Sequence, residues 1–310
     1  MLDKLIPVVF STDHRYVMPT GVALHSLLKQ RGNYVIYIFV DTDVTPEDKV
    51  LLEKEVSFAP KASELNFLNY GSVFQDSFAC RYISKASYAR FLIPWILPQY
   101  DKVIYCDQDI IFKTSLTEVY QRTSLESAYL AAVIRERGKE TNIYKYIESL
   151  GLDPRKYINA GFLIINSRLM RQHNLLPRFM ELSKKKFLYM DQDILNLVCD
   201  NKIVFLPPYF NITPEEVTPE NMERGCIIHY TGEKPWESFR SCWLEWWDNY
   251  RESVFYSPEF YFTVSKKIMS DLQEGRSIPR KLKKWIINLY KYPIINKLIT
   301  IINNSMGKQY

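Results

Sequence analysis

Two aspartates one residue apart, Asp107 and Asp109, end the apolar run Val103-Ile104-Tyr105-Cys106, and a second apolar run, Ile110-Ile111-Phe112, begins at once. A buried strand needs only the apolar residues. Side chains at i and i+2 of an extended chain point the same way, so the two carboxylates can converge on one point. Unpaired they would repel, and burying them would be costly. A divalent cation between them removes that cost, and a cation held by carboxylates at a strand end often carries a phosphate on its other side. An acidic turn has the same composition, because aspartate is a common turn former.

The chain has four histidines. His25 falls in a helical stretch, His173 in a polar one, and His14 in the loop after Asp13. His229 differs, because it ends an apolar strand and opens His229-Tyr230-Thr231-Gly232-Glu233-Lys234-Pro235-Trp236. Imidazole can join carboxylates around a transition-metal ion. Gly232 lets backbone approach an anion, and Lys234 offers a point charge suited to phosphate. A plain strand-to-loop turn with a surface lysine would read the same way. The glycine-rich cradles for dinucleotides and ATP are absent, as are the nucleophile elbow and the zinc-protease helix. A nucleotide ligand would therefore need a metal to carry its phosphates.

These residues need elements to hold them. Apolar runs at Leu5 to Phe10, Tyr34 to Val40, Leu65 to Leu68, Val103 to Cys106, Ala128 to Ile134, Phe162 to Ile165, Ile203 to Leu206 and Cys226 to Ile228 read as strands. Helical stretches alternate with them. One starts near Pro19, one at Thr45-Pro46-Glu47-Asp48 with cap, proline and first-turn acids, one spans Ser87 to Ile93 with Pro94 expected to kink or end it, and others cover Leu176 to Leu188 and Ile194 to Val198. Alternation of this kind predicts an α/β domain on a mostly parallel sheet, with ligands beyond the carboxyl ends of the strands. Asp13, Asp41 and Asp107 each follow an apolar run, so one shared cleft is expected.

At this point the motifs resemble a family. Asp107-Gln108-Asp109 after an apolar strand resembles the D-x-D motif of nucleotide-sugar glycosyltransferases, and His229…Gly232…Lys234-Pro235-Trp236 resembles the closing motif of glycosyltransferase family 8. Tyr88-Ala89-Arg90, Asn159-Ala160-Gly161-Phe162 and Asp191-Gln192-Asp193-Ile194-Leu195-Asn196 are similar to the family's Y-x-R, N-A-G and D-Q-D-x-L-N segments, and all five stand in the expected order. That family includes bacterial lipopolysaccharide glucosyl- and galactosyltransferases and glycogenin.

The resemblance implies a GT-A fold, a UDP-hexose donor (glucose or galactose), Mn²⁺ with Mg²⁺ as a substitute, and retention of anomeric configuration. By position, Asp107, Asp109 and His229 would bind the metal, and Ser11 and Asp13 would contact the uridine. Gly232 and Lys234 would hold the diphosphate, and Arg90, Asn159 and Asp191 the sugar. Gln108 and Ala160 complete the donor-binding set, and Gln192 would stand nearest the anomeric carbon, with Asp191 beside it in the catalytic pair. A glutamine there is a weak nucleophile, which favours front-face displacement with the leaving phosphate helping to deprotonate the acceptor. The chain departs from the family pattern twice. Only Glu233 separates Gly232 from Lys234 where two residues are usual, and Arg135-Glu136-Arg137 follow a strand where an Asp is frequent. Arg135 or Arg137 would suit an anionic acceptor, as would plain solvated arginines a surface.

Composition is that of a globular protein, 47% hydrophobic and 24% charged, with a high 15% aromatic content that suits sugar binding, membrane surfaces or simply core packing. Five scattered cysteines without a C-x-x-C pair fit a reducing compartment. No secretory pattern opens the chain, and no run approaches the ~20 apolar residues of a membrane span. Residues 264–310 hold ten Lys or Arg against two acids, a local +8, which leaves −3 on the rest of a chain of net +5. The expected organisation is a catalytic domain over 1–240 and an aromatic, basic helical region over 241–310, whose segment 280–292 suits an anionic membrane surface. The expected protein sits peripherally on the cytoplasmic face and uses a lipid-linked oligosaccharide acceptor, most naturally lipopolysaccharide core. Capsular, teichoic-type or glycoprotein acceptors are the alternatives, and a non-catalytic sugar-nucleotide or membrane-surface protein is a further one. Nucleic acid is not an expected partner, because the globular part is net negative.

Overall fold

The computed structural model describes residues 5–58, 64–79, 85–135, 141–238 and 241–273. Nine strands form two sheets among these residues: β1 (Ile6–Thr12), β2 (Tyr34–Val40), β3 (Glu64–Asn69), β4 (Lys102–Cys106), β5 (Ile110–Phe112), β6 (Leu130–Ile134), β7 (Ile158–Asn166), β8 (Ile203–Phe205) and β9 (Ile227–His229). The large sheet runs β3-β2-β1-β4-β7-β6-β8, and all its pairings are parallel except the two that β7 makes with β4 and β6. This is the expected mostly parallel α/β sheet.

Period-2 geometry explains why its central strands read as unbroken apolar runs. Val8 and Phe10 of β1 enter one hydrophobic cluster while Val9 enters the other, and Ile104 and Cys106 of β4 oppose Val103 and Tyr105 in the same way. Helices cover both faces. Val17–Leu28 lays Leu24, Leu27 and Leu28 on the first cluster, and Pro46–Ser57 begins with a full capping box between Thr45 and Asp48. Much of the aromatic content is core: Tyr34, Tyr88, Tyr105, Tyr157 and Trp246 are among the largest fully buried side chains.

Several boundaries differ from expectation. Lys85–Leu92 is a 3₁₀ helix, and Pro94 stands in the first turn of a short α-helix, Ile93–Ile96, instead of ending the segment. The proline ring would clash with the Arg90 carbonyl in a continuous α-helix, so the preceding turns tighten. Leu176–Ser183 stops short of Leu188, and its terminal Ser183 carbonyl, left without a helical partner, accepts from Phe78 N–H (2.9 Å). The helix Met190–Cys199 begins earlier than Ile194, so the second Asp-Gln-Asp lies in its first turn. β7 starts at Ile158 and takes in Asn159, Ala160 and Gly161.

The small antiparallel sheet pairs β5 with β9, opposing Ile110 to His229. A third cluster joins Ile111 and Ile228 of this sheet to Trp246, Trp247 and Tyr250 of the helix Trp243–Glu252 and to Val264 and Ile268 of Pro258–Gln273. The aromatic-dense stretch after Trp236 thus packs as a helix against the sheet. The basic segment 280–292 and Arg137 lie outside the described residues. No helix among those described is long and apolar enough to cross a membrane. The described cysteines Cys106, Cys199, Cys226 and Cys242 are all unbridged.

Candidate active site

The carboxyl edge of the large sheet forms one side of a cleft of about 520 Å³. Strand order arranges its residues along that edge. Ser11 and Asp13 come from the end of β1, Asp107 follows β4, Asn159 enters at the start of antiparallel β7, and Arg135 follows β6. Neighbouring strands lie about 5 Å apart, so these groups mark successive positions across the cleft. The residues assigned to metal, donor and sugar from the sequence all line it: Ser11, Asp13, Arg90, Asp107, Gln108, Asp109, Asn159, Ala160, Asp191, Gln192, His229, Gly232 and Lys234. Asp41 does not.

At the centre, ligand atoms of Asp107, Asp109 and His229 lie within 4.8 Å of one another. His229 Nε2 stands 3.2 Å from Asp109 Oδ1 and 3.7 Å from Asp107 Oδ2. Backbone pairing creates this meeting. The Tyr230 N–H donates to the Asp109 carbonyl (2.9 Å), locking the chain after His229 to the chain before β5. Gly161 is a steric requirement here, because a Cβ on it would fall 2.1 Å from His229 Cε1. The N-A-G segment therefore makes room for the histidine as well as lining the cleft.

Charge is distributed unevenly around this centre. Lys234 Nζ rests against Asp109 Oδ2 and also donates to the Tyr230 carbonyl (3.0 Å). Burial alone would push the Asp109 carboxyl up, but the Lys234 ammonium and His229 outweigh it and hold the group well below the usual carboxylate range. Lys234, foreseen as a diphosphate holder, thus spends its charge on a carboxylate in this geometry. Gly232 has φ of 80°, a left-handed conformation, and a Cβ there would meet nothing within 4 Å, so backbone angle and not crowding selects glycine.

Arg90 is the second organising charge. Its Nη2 donates to Asp107 Oδ1 (2.8 Å), its Nη1 to the Ala160 carbonyl (2.7 Å) and its Nε to the Ser87 carbonyl (2.8 Å). Nη1 also lies 2.9 Å from Asp191 Oδ2, and the guanidinium stacks 4.2 Å over the Tyr105 ring. Asp191 shares this cation with Asp107; burial pushes its pKa up to about 6 despite Arg90. Gln192 Oε1 accepts from Ala160 N–H (3.3 Å). Asp13 Oδ1 and Ser11 Oγ, at the β1 end, are buried without a hydrogen-bond partner among the described residues, as polar groups built to meet a ligand would be. Arg135 lines the opposite end, 4.2 Å over the Tyr189 ring.

Two carboxylates and an imidazole make a mixed oxygen and nitrogen donor set that fits a divalent ion such as Mn²⁺. Asn211 was not foreseen. It lines the cleft, is buried, and touches both His229 and Asn159, yet a lone asparagine before Ile212-Thr213 carries no motif signal.

Comparison with known proteins agrees with this arrangement. A Haemophilus influenzae protein named as a glycosyltransferase is 29% identical over 224 residues, covering 69% of this chain and 65% of its own length. The lipopolysaccharide 1,3-galactosyltransferase of Salmonella typhimurium is 31% identical over 171 residues, half of each chain. The chain thus spans less than two thirds of either relative. The structure of galactosyltransferase LgtC with donor and acceptor sugar analogs superposes with a TM-score of 0.67 at 23% identity, over 83% of this chain and 99% of that one, which shows the GT-A fold. The profile described as glycosyl transferase family 8 matches residues 7–240, most of the chain, and the protein belongs to that family.

Proposed function

We propose that this protein transfers a hexose, glucose or galactose, from a UDP-sugar to a hydroxyl of a glycan acceptor with retention of configuration. The observation that carries the proposal is the meeting of Asp107, Asp109 and His229 in one cleft with the Arg90–Asp191 pair and Gln192. The first three would hold Mn²⁺, which supplies charge neutralisation for a departing diphosphate. Ser11 and Asp13, with their unpartnered oxygens, would receive the uridine. Gly232 and Lys234 would face the diphosphate, with Lys234 exchanging Asp109 for phosphate oxygen. Gln108 and Ala160 would complete the donor contacts, and Arg90, Asn159 and Asp191 would orient the sugar.

The local chemistry favours front-face displacement. Asp191 is buried and paired with Arg90, and the Gln192 carbonyl is already engaged by a backbone N–H, so neither is an activated nucleophile. The leaving phosphate would then serve as the base for the incoming hydroxyl. Trapping a covalent glycosyl–enzyme at either residue would contradict this route. Arg135 at the far end of the cleft suits an anionic acceptor, and the Salmonella relative's name supports lipopolysaccharide as that acceptor. Attachment to an anionic membrane on the cytoplasmic side through 264–310 is part of the same proposal; deleting that region should release the protein from anionic vesicles.

The test is a panel of UDP-sugars with Mn²⁺. The expected result is hydrolysis of UDP-glucose or UDP-galactose that needs the metal. A folded protein that turns over none of them would point instead to a binding module.

A further inference from the structure

One hydrogen-bonded chain joins Asn159 at the start of β7 to the Asp107, Asp109 and His229 cluster. Gly161 N–H donates to Asn159 Oδ1 (2.8 Å), Asn211 Nδ2 donates to the same oxygen (2.8 Å), and His229 Nδ1 lies 2.9 Å from Asn211 Oδ1. Its polarity follows from its first member. A backbone amide can only donate, so the Asn159 atom facing Gly161 must be the carbonyl oxygen. The Asn211 atom facing that oxygen must then be its NH₂, which turns the Asn211 oxygen toward His229. Nδ1 must therefore carry a proton, and in the neutral ring Nε2 presents its lone pair to Asp109 Oδ1 and Asp107 Oδ2. In that tautomer the Nε2 lone pair and the two carboxylate oxygens face the same point, the arrangement a bound cation would occupy.

We infer that Asn211 is the positioning residue that sets His229 as an Nε2 metal ligand and, through the same amide, turns the Asn159 NH₂ into the cleft as a donor to a donor-sugar oxygen. Backbone bonds hold Asn211 in place for this. Its own N–H donates to the Pro208 carbonyl (3.0 Å), and the next residue, Ile212, donates to the Ile227 carbonyl (3.0 Å) and accepts from His229 N–H (2.9 Å). Asn211 thus stands beside His229 through the backbone register of Ile212 on β9, independently of the side-chain contact. Partners that fix a ligating imidazole in this manner typically matter 10- to 100-fold, roughly, in metal affinity. The inference rests on the reading of Asp107, Asp109 and His229 as a cation site.

The experiment has three arms on the full chain. Nitrogen NMR of histidine-labelled wild-type protein should show His229 Nδ1 protonated; a bare Nδ1 would overturn the inference whatever the protein binds. Mn²⁺ titration followed by electron paramagnetic resonance should show Asn211→Leu binding about 10- to 100-fold more weakly than wild type, and equal affinity would overturn it. Asn211→Asp keeps an acceptor for Nδ1 but gives Asn159 no donor. It should hold Mn²⁺ at least as well as wild type while UDP-glucose and UDP-galactose lose affinity relative to UDP; weakening of Mn²⁺ to the level of the Leu variant would count against the account. Should Asn211→Leu fail to fold, the other two arms decide. A wild-type protein that binds no Mn²⁺ would bring down the proposed function, and the Nδ1 measurement would still report separately on Asn211.

Discussion

The tripeptide Asp-Gln-Asp occurs twice, at 107–109 and 191–193, and the fold uses the two copies in opposite ways. In the first, between β4 and β5, both carboxylates face the same histidine. In the second, in the opening turn of the helix Met190–Cys199, side chains two residues apart diverge. Asp191 turns to Arg90, while Asp193 is fully buried and accepts from the hydroxyls of Tyr157 and Tyr146 and from Tyr189 N–H. The backbone, and not the residue triplet, decides whether two aspartates converge on one histidine or diverge into a cleft residue and a structural anchor.

Four experiments would break or sharpen this contrast. Asp109→Ala removes one carboxylate of the convergent pair, and it should cut metal-dependent UDP-sugar turnover by about 10³-fold or more, since a lost metal ligand is worth several kcal/mol in the transition state. Asp193→Asn should instead act on stability. It leaves three buried donors facing an amide, at a cost of about 3 kcal/mol, and thermal denaturation should move down by roughly 5–10 °C, while Mn²⁺ affinity stays near wild type. If Asp193→Asn abolished metal binding at an unchanged melting temperature, the contrast would fail.

The effect of Asp191 should be visible through pH. Its folded pKa of about 6 lies above the ordinary carboxylate value, so the native state binds more protons than the unfolded one between roughly pH 4 and 6. Its contribution to stability is therefore present below that window and is lost as pH rises through it, by on the order of 3 kcal/mol. Asp191→Asn should flatten the dependence of chemical denaturation midpoints on pH over that interval; an unchanged slope would show that another group carries it. The smallest expected effect belongs to Gly161→Ala. The added methyl meets His229 and should weaken Mn²⁺ binding about tenfold, measured by titration, with UDP-independent folding retained.

Much of this contrast was readable in the sequence, for a physical reason. Continuous apolar runs mark strands buried on both faces, and Asp107 to Asp109 stand immediately after one, so the strand end and its carboxylates were visible together. The helical membership of Asp191 is less legible, because a helix's first turn needs no apolar periodicity, so apolar periodicity marks this helix only from Ile194 although it starts at Met190. Long-range pairing left no local signal at all. Nothing in Ile110-Ile111-Phe112 says that it pairs with Ile227-Ile228-His229, and nothing about Asn211 says that it will face His229. The roles of Lys234 and Gly161 were similarly incomplete, since the Asp109 contact and the histidine's need for space arise only when distant segments pack.

The most direct test of the contrast is a calorimetric titration of UDP into wild-type protein with and without Mn²⁺, repeated with Asp109→Ala and Asp193→Asn. The account predicts UDP binding that requires Mn²⁺, is lost in Asp109→Ala and persists in Asp193→Asn. UDP binding of equal strength in the absence of metal, or its loss in both variants alike, would contradict it.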